Sequence, residues 1–236
     1  MQLTPMMQQY IDIKKNYQDS ILFFRLGDFY EMFFDDAIIA SKAMEVTLTG
    51  KSCGLEERAP MCGVPYHAAD TYIAKLIEKG YKVAICEQTE DPSTSKGIVK
   101  REVVQIITPG TVISQTMLND NENNYLASIF LDETGAGIAY CDISTGEIST
   151  TELKGQRYIE RLLNELEKIR AKEVIANEAV TLDGFLDEIK DNNNAYFSLL
   201  EPRYYNKNAS ADAIMRQFKV KSLKGLGLEE MHLIVM

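Results

Sequence analysis

A chain of 236 residues with 45% apolar content can bury a core in one large domain or in each of two ordinary ones. Its formal charge of −10 is spread over both halves, with 12 Lys/Arg against 16 Asp/Glu in residues 1–120 and 13 against 19 in residues 121–236. That balance excludes a chain whose main role is to coat nucleic acid, because phosphate contacts need Lys and Arg.

No apolar run approaches the ~20 residues of a membrane helix, and Met1-Gln2-Leu3-Thr4-Pro5 lacks the basic flank and apolar stretch of a signal peptide, so no membrane is expected as a partner and the expected location is the cytoplasm. Cys53, Cys62, Cys86 and Cys141 lie far apart without a Cys-x-x-Cys pair, and only His67 and His232 accompany them, so neither a zinc site nor a disulfide framework is expected.

Thr4-Pro5 reads as an N-cap followed by proline at the first helical position, and Met6, Met7, Tyr10, Ile11, Lys14 and Tyr17 continue one helical face. A strand follows at 21–26. Tyr30, Phe33, Phe34, Ala37, Ile38 and Ser41 then recur at helical spacing, which places Glu31 in the first turn of a second helix. Ala69 to Lys79 reads as a helix ended by Gly80, Lys82–Cys86 as a buried strand, and Val103–Ile107 as another, stopped by Thr108-Pro109-Gly110.

The polar run Asn119-Asp120-Asn121-Glu122-Asn123-Asn124 is the expected linker between domains at 1–118 and 125–236. Beyond it, Tyr125–Leu131, Ala136–Ile143 and Glu147–Leu153 are joined by tight turns, the pattern of an antiparallel meander. An amphipathic helix carries Tyr158, Ile159, Leu162, Leu163, Leu166 and Ile169 inward; a short strand at Val174-Ile175-Ala176 and a late helix with Ala211, Ile214, Met215 and Phe218 follow. The apolar end Leu233-Ile234-Val235-Met236 is expected to be covered, by further chain or by another surface. The expected class is α/β: a mixed-sheet N-terminal domain with flanking helices, then a second α/β domain.

Three chemical motifs fall away on their own residues. Gly50-Lys51-Ser52 lacks the earlier glycine of a phosphate loop, since position 45 is Glu45. Ser93-Thr94-Ser95-Lys96 has no Ser-Asp-Asn or Lys-Thr-Gly companions. Asp132, Asp142 and Glu147 could pair as metal-holding carboxylates of a nuclease, but turn chemistry explains the two aspartates more simply, each capping backbone donors.

The remaining signal is Gly27-Asp28-Phe29-Tyr30-Glu31, where a ring and a carboxylate two residues apart are presented at an element boundary. A ring can wedge into a base stack and a carboxylate can accept a hydrogen bond from a base edge. Basic support is offered by Lys51, beside the flexible Ser52-Cys53-Gly54, and by Lys96, Lys100 and Arg101 after the loop 91–95.

Five segments, in order, resemble the MutS family of DNA mismatch-recognition proteins: Thr4-Pro5-Met6-Met7-Gln8-Gln9-Tyr10; Phe24-Arg25-Leu26-Gly27-Asp28-Phe29-Tyr30-Glu31-Met32-Phe33; Pro60-Met61-Cys62-Gly63-Val64-Pro65-Tyr66-His67-Ala68; Gly80-Tyr81-Lys82-Val83-Ala84-Ile85-Cys86-Glu87-Gln88; and Thr108-Pro109-Gly110-Thr111. Asp142-Ile143-Ser144-Thr145-Gly146-Glu147 resembles that family's connector domain, which implies a ribonuclease-H-like fold without nuclease function.

By this resemblance Phe29 stacks on a mispaired or unpaired base, Glu31 hydrogen-bonds to it, and Lys51 and Arg101 fall where basic contacts near the lesion are made. The implied partners are mismatched duplex DNA, a MutL-like protein, the remainder of MutS and a second MutS subunit. The family continues into lever, clamp and ATPase domains. ATP and magnesium are therefore expected there, and neither a cofactor nor enzymatic activity is expected in these residues, which are instead read as a sensor of mismatches or, in the alternative, as a module docking a MutL-like protein.

Overall fold

The computed structural model describes residues 3–90, 97–114, 117–118, 122–192 and 195–236, which divide into two compact units, Met1–Leu118 and Asn119–Met236. Among the described residues no helix is long and apolar enough to cross a membrane.

The first unit is a six-stranded mixed sheet. Its strands are β1 (Ser20–Leu26), β2 (Phe29–Phe33), β3 (Thr49–Lys51), β4 (Ala59–Pro65), β5 (Lys82–Gln88) and β6 (Arg101–Ile107), in the order β3-β4-β2-β1-β5-β6. The β1–β5 pair is parallel and the others antiparallel. Strand alternation sends β1 residues Ile21 and Phe23, with Tyr30 and Met32 of β2, into a core under α2 (Phe34–Met44) and α3 (Ala69–Glu78). Leu22, Phe24 and Phe33 go to the opposite face, where Met7 and Tyr10 of α1 (Pro5–Lys14) cover them. The Thr4 hydroxyl accepts the Met7 N–H at 3.4 Å, so the expected cap and the Pro5 start are both present.

One polar group ties α1 to this sheet. Asp36, 5% exposed in the first turn of α2, accepts from the Tyr10 hydroxyl at 3.0 Å and the Leu22 N–H at 3.0 Å, and its other oxygen lies 2.8 Å from Lys14 Nζ. Burial, reinforced by the Asp36 charge, raises the Tyr10 phenol well above the usual tyrosine range.

The second unit is a five-stranded mixed sheet. The meander β7 (Tyr125–Asp132), β8 (Gly135–Asp142) and β9 (Glu147–Lys154) is antiparallel, and β10 (Glu173–Ala176) and β11 (Tyr196–Leu199) extend it in parallel from β7. This is the mixed α/β architecture expected of a ribonuclease-H-like connector. α4 (Tyr158–Ile169) buries Leu162, Leu166 and Ile169 against the sheet, and α5 (Phe185–Asn192) adds Phe185 and Ile189. α6 (Lys207–Phe218) forms as expected but buries none of its residues, and Phe218 is 45% exposed.

The apolar end is covered within this same unit. Leu233 and Val235 are buried, the Leu233 N–H donates to Glu152 at 2.8 Å, and the segment crosses β8 at Gly137. A Cβ at Gly137 would lie 2.1 Å from the Leu233 carbonyl oxygen, so only glycine admits this approach.

Candidate nucleic-acid interface

Glu31 is not in a helix. Leu26 and Phe29 are cross-strand partners, so Gly27-Asp28 is a two-residue hairpin turn, with Gly27 at φ +55° in the first central position. Residues 29–33 instead alternate as a strand, Phe33 on one face and Tyr30 and Met32 on the other. Hydrogen bonding to β1 on one side and β4 on the other decides in favour of β2, and α2 begins only at Phe34, with Asp35 and Asp36 in its first turn.

The strand period puts Phe29, Glu31 and Phe33 on the α1 face of the sheet and Tyr30 and Met32 in the opposite core. Phe29, next to the turn, is 46% exposed although it is a large apolar ring.

Glu31 pairs in register with Phe24 and Gly63. Lys51 reaches across β4 from β3 and sets its Nζ 2.5 Å from Glu31 Oε2. A Cβ at Gly63 would stand 3.4 Å from Glu31 Cγ and 3.3 Å from the Tyr30 carbonyl oxygen, crowding the carboxylate. The Lys51 ammonium also lies 5.8 Å from the Phe33 ring centre. Ring, carboxylate and ammonium thus share one face of one sheet, within reach of the hairpin tip.

The other basic candidates are placed differently. Lys100 is exposed and pairs with Glu102 at 2.6 Å, and the Glu102 carboxylate holds its ammonium above the ordinary lysine range. Arg101 is only 7% exposed. Its Nε donates to the Arg25 carbonyl at 2.6 Å, its Nη1 to Gln9 Oε1 and the Val99 carbonyl, both at 2.9 Å, and its guanidinium lies 4.9 Å from the Phe24 ring centre. In this structure that side chain joins α1 to the sheet. Lys96 lies outside the described residues.

Behind the hairpin, on the α2 and α3 face, Arg25, Tyr30, Tyr66 and Glu87 meet. Sequence reading passed over them. The available signal was Arg25 itself, a lone cation in an otherwise apolar strand.

Of the carboxylates of the nuclease alternative, Asp142 and Glu147 are cross-strand partners on β8 and β9, but Asp132 stands apart from both. Asp132 lies where β7 turns into β8 and accepts from the Thr134 N–H at 2.7 Å and the Gly135 N–H at 3.2 Å. Asp142 is at the far end of the same pair of strands, opposite Tyr125, roughly 23 Å away at the usual rise per residue. It accepts from the Asn124 N–H at 3.0 Å and the Ser144 N–H at 2.9 Å. Burial raises its pKa, but the Ser144 hydroxyl and these amides outweigh that and hold the carboxyl below the usual range. Among the described residues, no three or more His, Cys, Asp or Glu side chains are grouped to hold a metal.

Comparison with known proteins agrees with this architecture. The MutS domain I model matches residues 4–116 and the MutS domain II model matches residues 124–234. A DNA mismatch repair protein MutS of Alkaliphilus oremlandii is 50% identical over 98% of this chain and 27% of its own length. That of Lachnoclostridium phytofermentans is 51% identical over 97% of this chain and 24% of its own, and that of Caldanaerobacter subterraneus subsp. tengcongensis 48% identical over 100% and 27%. The chain therefore spans about a quarter of the length of these relatives. A crystal structure of the Aquifex aeolicus Ppx/GppA phosphatase matches with a TM-score of 0.28 and 15% identity over 41% of each chain, too slight to bear on function. With one domain model on each compact unit and half of its residues shared with full-length relatives, the chain belongs to the MutS family and carries its domains I and II.

Proposed function

We propose that this segment senses mispaired or unpaired bases in duplex DNA, with Phe29 as an intercalating wedge and Glu31 as the carboxylate that accepts a hydrogen bond from the displaced base. One observation carries the reading: a half-exposed ring at the tip of a two-residue hairpin, with a carboxylate two residues on along the same face. Driving a ring between bases costs a few kcal/mol of unstacking, less where pairing is already broken, so selection follows from how easily a step opens.

Glu31 adds a second condition. An anion beside phosphates is unfavourable unless a base donor meets it, and in the free protein Lys51 supplies the balancing charge. On DNA, Lys51 is the cation in place to turn to a nearby phosphate, with Lys100, and Lys96 as sequence places it, as further basic support. The acidic balance of the segment fits a reading tip whose grip comes from the remainder of MutS and a second subunit, where ATP and magnesium act. The connector unit offers surface to a MutL-like partner, the segment itself works by binding and not by catalysis, and the protein acts in the cytoplasm.

The test uses a chimera in which this segment replaces the matching N-terminal residues of the Alkaliphilus oremlandii protein. Fluorescence anisotropy on duplexes with and without one mismatch gives the affinity ratio. Phe29→Ala should lower that ratio about 10-fold or more, the value of one base–ring stack. An unchanged ratio refutes the wedge. Glu31→Ala should strengthen binding to intact duplex, because it removes the repelled anion and frees Lys51.

A further inference from the structure

A wedge is useful only if its mount resists the reaction force of the base stack. The Gly27-Asp28 turn has little of its own to resist with: nothing lies within 4 Å of where a Gly27 side chain would stand. Its support comes from the opposite face of the sheet.

Arg25, cross-strand partner of Tyr30, donates from Nε to the Gly27 carbonyl at 2.7 Å, within the turn itself. Its guanidinium lies 3.7 Å from the Tyr66 ring centre and 5.5 Å from that of Tyr30, and Nη1 is 3.8 Å from Glu87 Oε1. The Tyr30 hydroxyl donates to that same Glu87 oxygen, and the Tyr66 N–H donates to the Asp28 carbonyl at 2.9 Å. Four segments of chain, β1, β2, the turn after β4, and β5, thus converge on the base of one hairpin. The guanidinium serves the turn carbonyl, the carboxylate and a ring in three directions with one rigid fork. A lysine ammonium has three donors but no planar face, so it cannot stack on the ring while it serves the carbonyl and the carboxylate.

We infer that Arg25 is the positioning residue of the reading tip: stacked on Tyr66 and turned toward Glu87, it stiffens the Gly27-Asp28 turn so that Phe29 presses into a base step instead of folding away. This rests on the wedge reading above and adds a role to residues that touch no base. It also assigns Tyr66, which is 45% exposed next to the hairpin, to bracing rather than to DNA contact.

The same chimera tests it with Arg25→Lys, Tyr66→Ala, Tyr66→Phe and Phe29→Ala, each folded by circular dichroism. Arg25→Lys and Tyr66→Ala should lower the mismatch-to-homoduplex ratio by about 3- to 10-fold, the range of a cation–ring contact, with homoduplex affinity unchanged. Tyr66→Phe keeps a ring face and should keep the wild-type ratio. With 2-aminopurine beside the mismatch, the two weakened variants should show less unstacking at saturating protein.

If both keep the wild-type ratio while Phe29→Ala loses it, the brace is refuted and the wedge stands. If Phe29→Ala also keeps it, the wedge reading falls and takes the brace with it. Equal losses on both duplexes would make Arg25 and Tyr66 ordinary DNA contacts and overturn the inference. Should Arg25→Lys fail to fold, Tyr66→Ala against Tyr66→Phe decides alone, since truncating an exposed ring leaves both cores intact.

Discussion

Replacing Asp36 by alanine should loosen the first unit and leave the second untouched. Truncation removes the carboxylate that accepts from the Tyr10 hydroxyl and the Leu22 N–H, each at 3.0 Å, in a site only 5% exposed. Two hydrogen bonds to a charged acceptor are worth about 1.5–3 kcal/mol apiece. Some is recovered, because the Tyr10 hydroxyl still reaches the Phe33 carbonyl at 3.3 Å and Lys14 keeps the Ser20 carbonyl at 2.6 Å. The net expectation is about 3–5 kcal/mol, the usual cost of breaking a buried pair from one side. Hydrogen exchange measured by mass spectrometry reads this directly: amides of β1 and β5 that exchange through unfolding of the unit should speed up by roughly 10²–10⁴-fold, since every ~1.4 kcal/mol is tenfold. β7 and β8, which belong to a separate core, are the internal control. Asp36→Asn, which keeps an acceptor but loses the charge, should fall between. Acceleration below tenfold in β1 and β5, or equal acceleration in β7 and β8, refutes the assignment of Asp36 as the tie between α1 and the sheet.

Burial, then the Glu87 carboxylate, pushes the Tyr30 phenol up to about 12. The folded state thus favours the neutral phenol, so this stabilisation is complete below the ordinary tyrosine value of 10.0 and is lost as pH rises from there towards about 12. Tyr30→Phe should therefore show a smaller drop in Tm between pH 9.5 and 11.5 than wild type, leaving the contribution of Tyr10; equal slopes would contradict it. Asp142 behaves oppositely: its depressed value stabilises the fold above the ordinary aspartate value of 3.8 and the benefit goes as pH falls through and below it, so Asp142→Asn should flatten the acid side of a urea-midpoint titration. Gly137→Ala should lift the C-terminal segment off β8 and cost about 3 kcal/mol or more from re-exposing Leu233 and Val235, seen as faster carboxypeptidase trimming and a lower Tm. Wild-type trimming rates would show that the contact is not needed.

Much of this fold is legible in the residues. Thr4-Pro5 fixes the start of α1, and the tight turns of the second unit give its meander without ambiguity. The misreading at Glu31 has a physical cause: the helical spacing of Tyr30, Phe33 and Phe34 runs across the boundary between β2 and α2, and only pairing of 29–33 with β1 and β4, which lies outside any local window, shows where the strand ends. β3 has three residues and β4 contains Pro60 and Pro65, so neither carries a clear local strand signal, yet together they bring Lys51 to Glu31. Arg101 looked like a surface cation because its neighbours in sequence are charged. Its burial depends on Gln9, Phe24 and Arg25, all more than seventy positions away. The bracing ring around Arg25 escaped for the same reason, being drawn from four separate stretches of chain.

The placement of Phe29 and Glu31 on a strand has a consequence for how the protein tolerates change. A strand has only two faces, so the parity that sets Phe29, Glu31 and Phe33 on the α1 face sets Tyr30 and Met32 in the core under α2 and α3. A one-residue shift in the pairing of β2 cannot merely misaim Phe29, because it also drives Tyr30 and Met32 out of that core and Phe33 out of its own. Errors of register at this site are therefore opposed by folding itself.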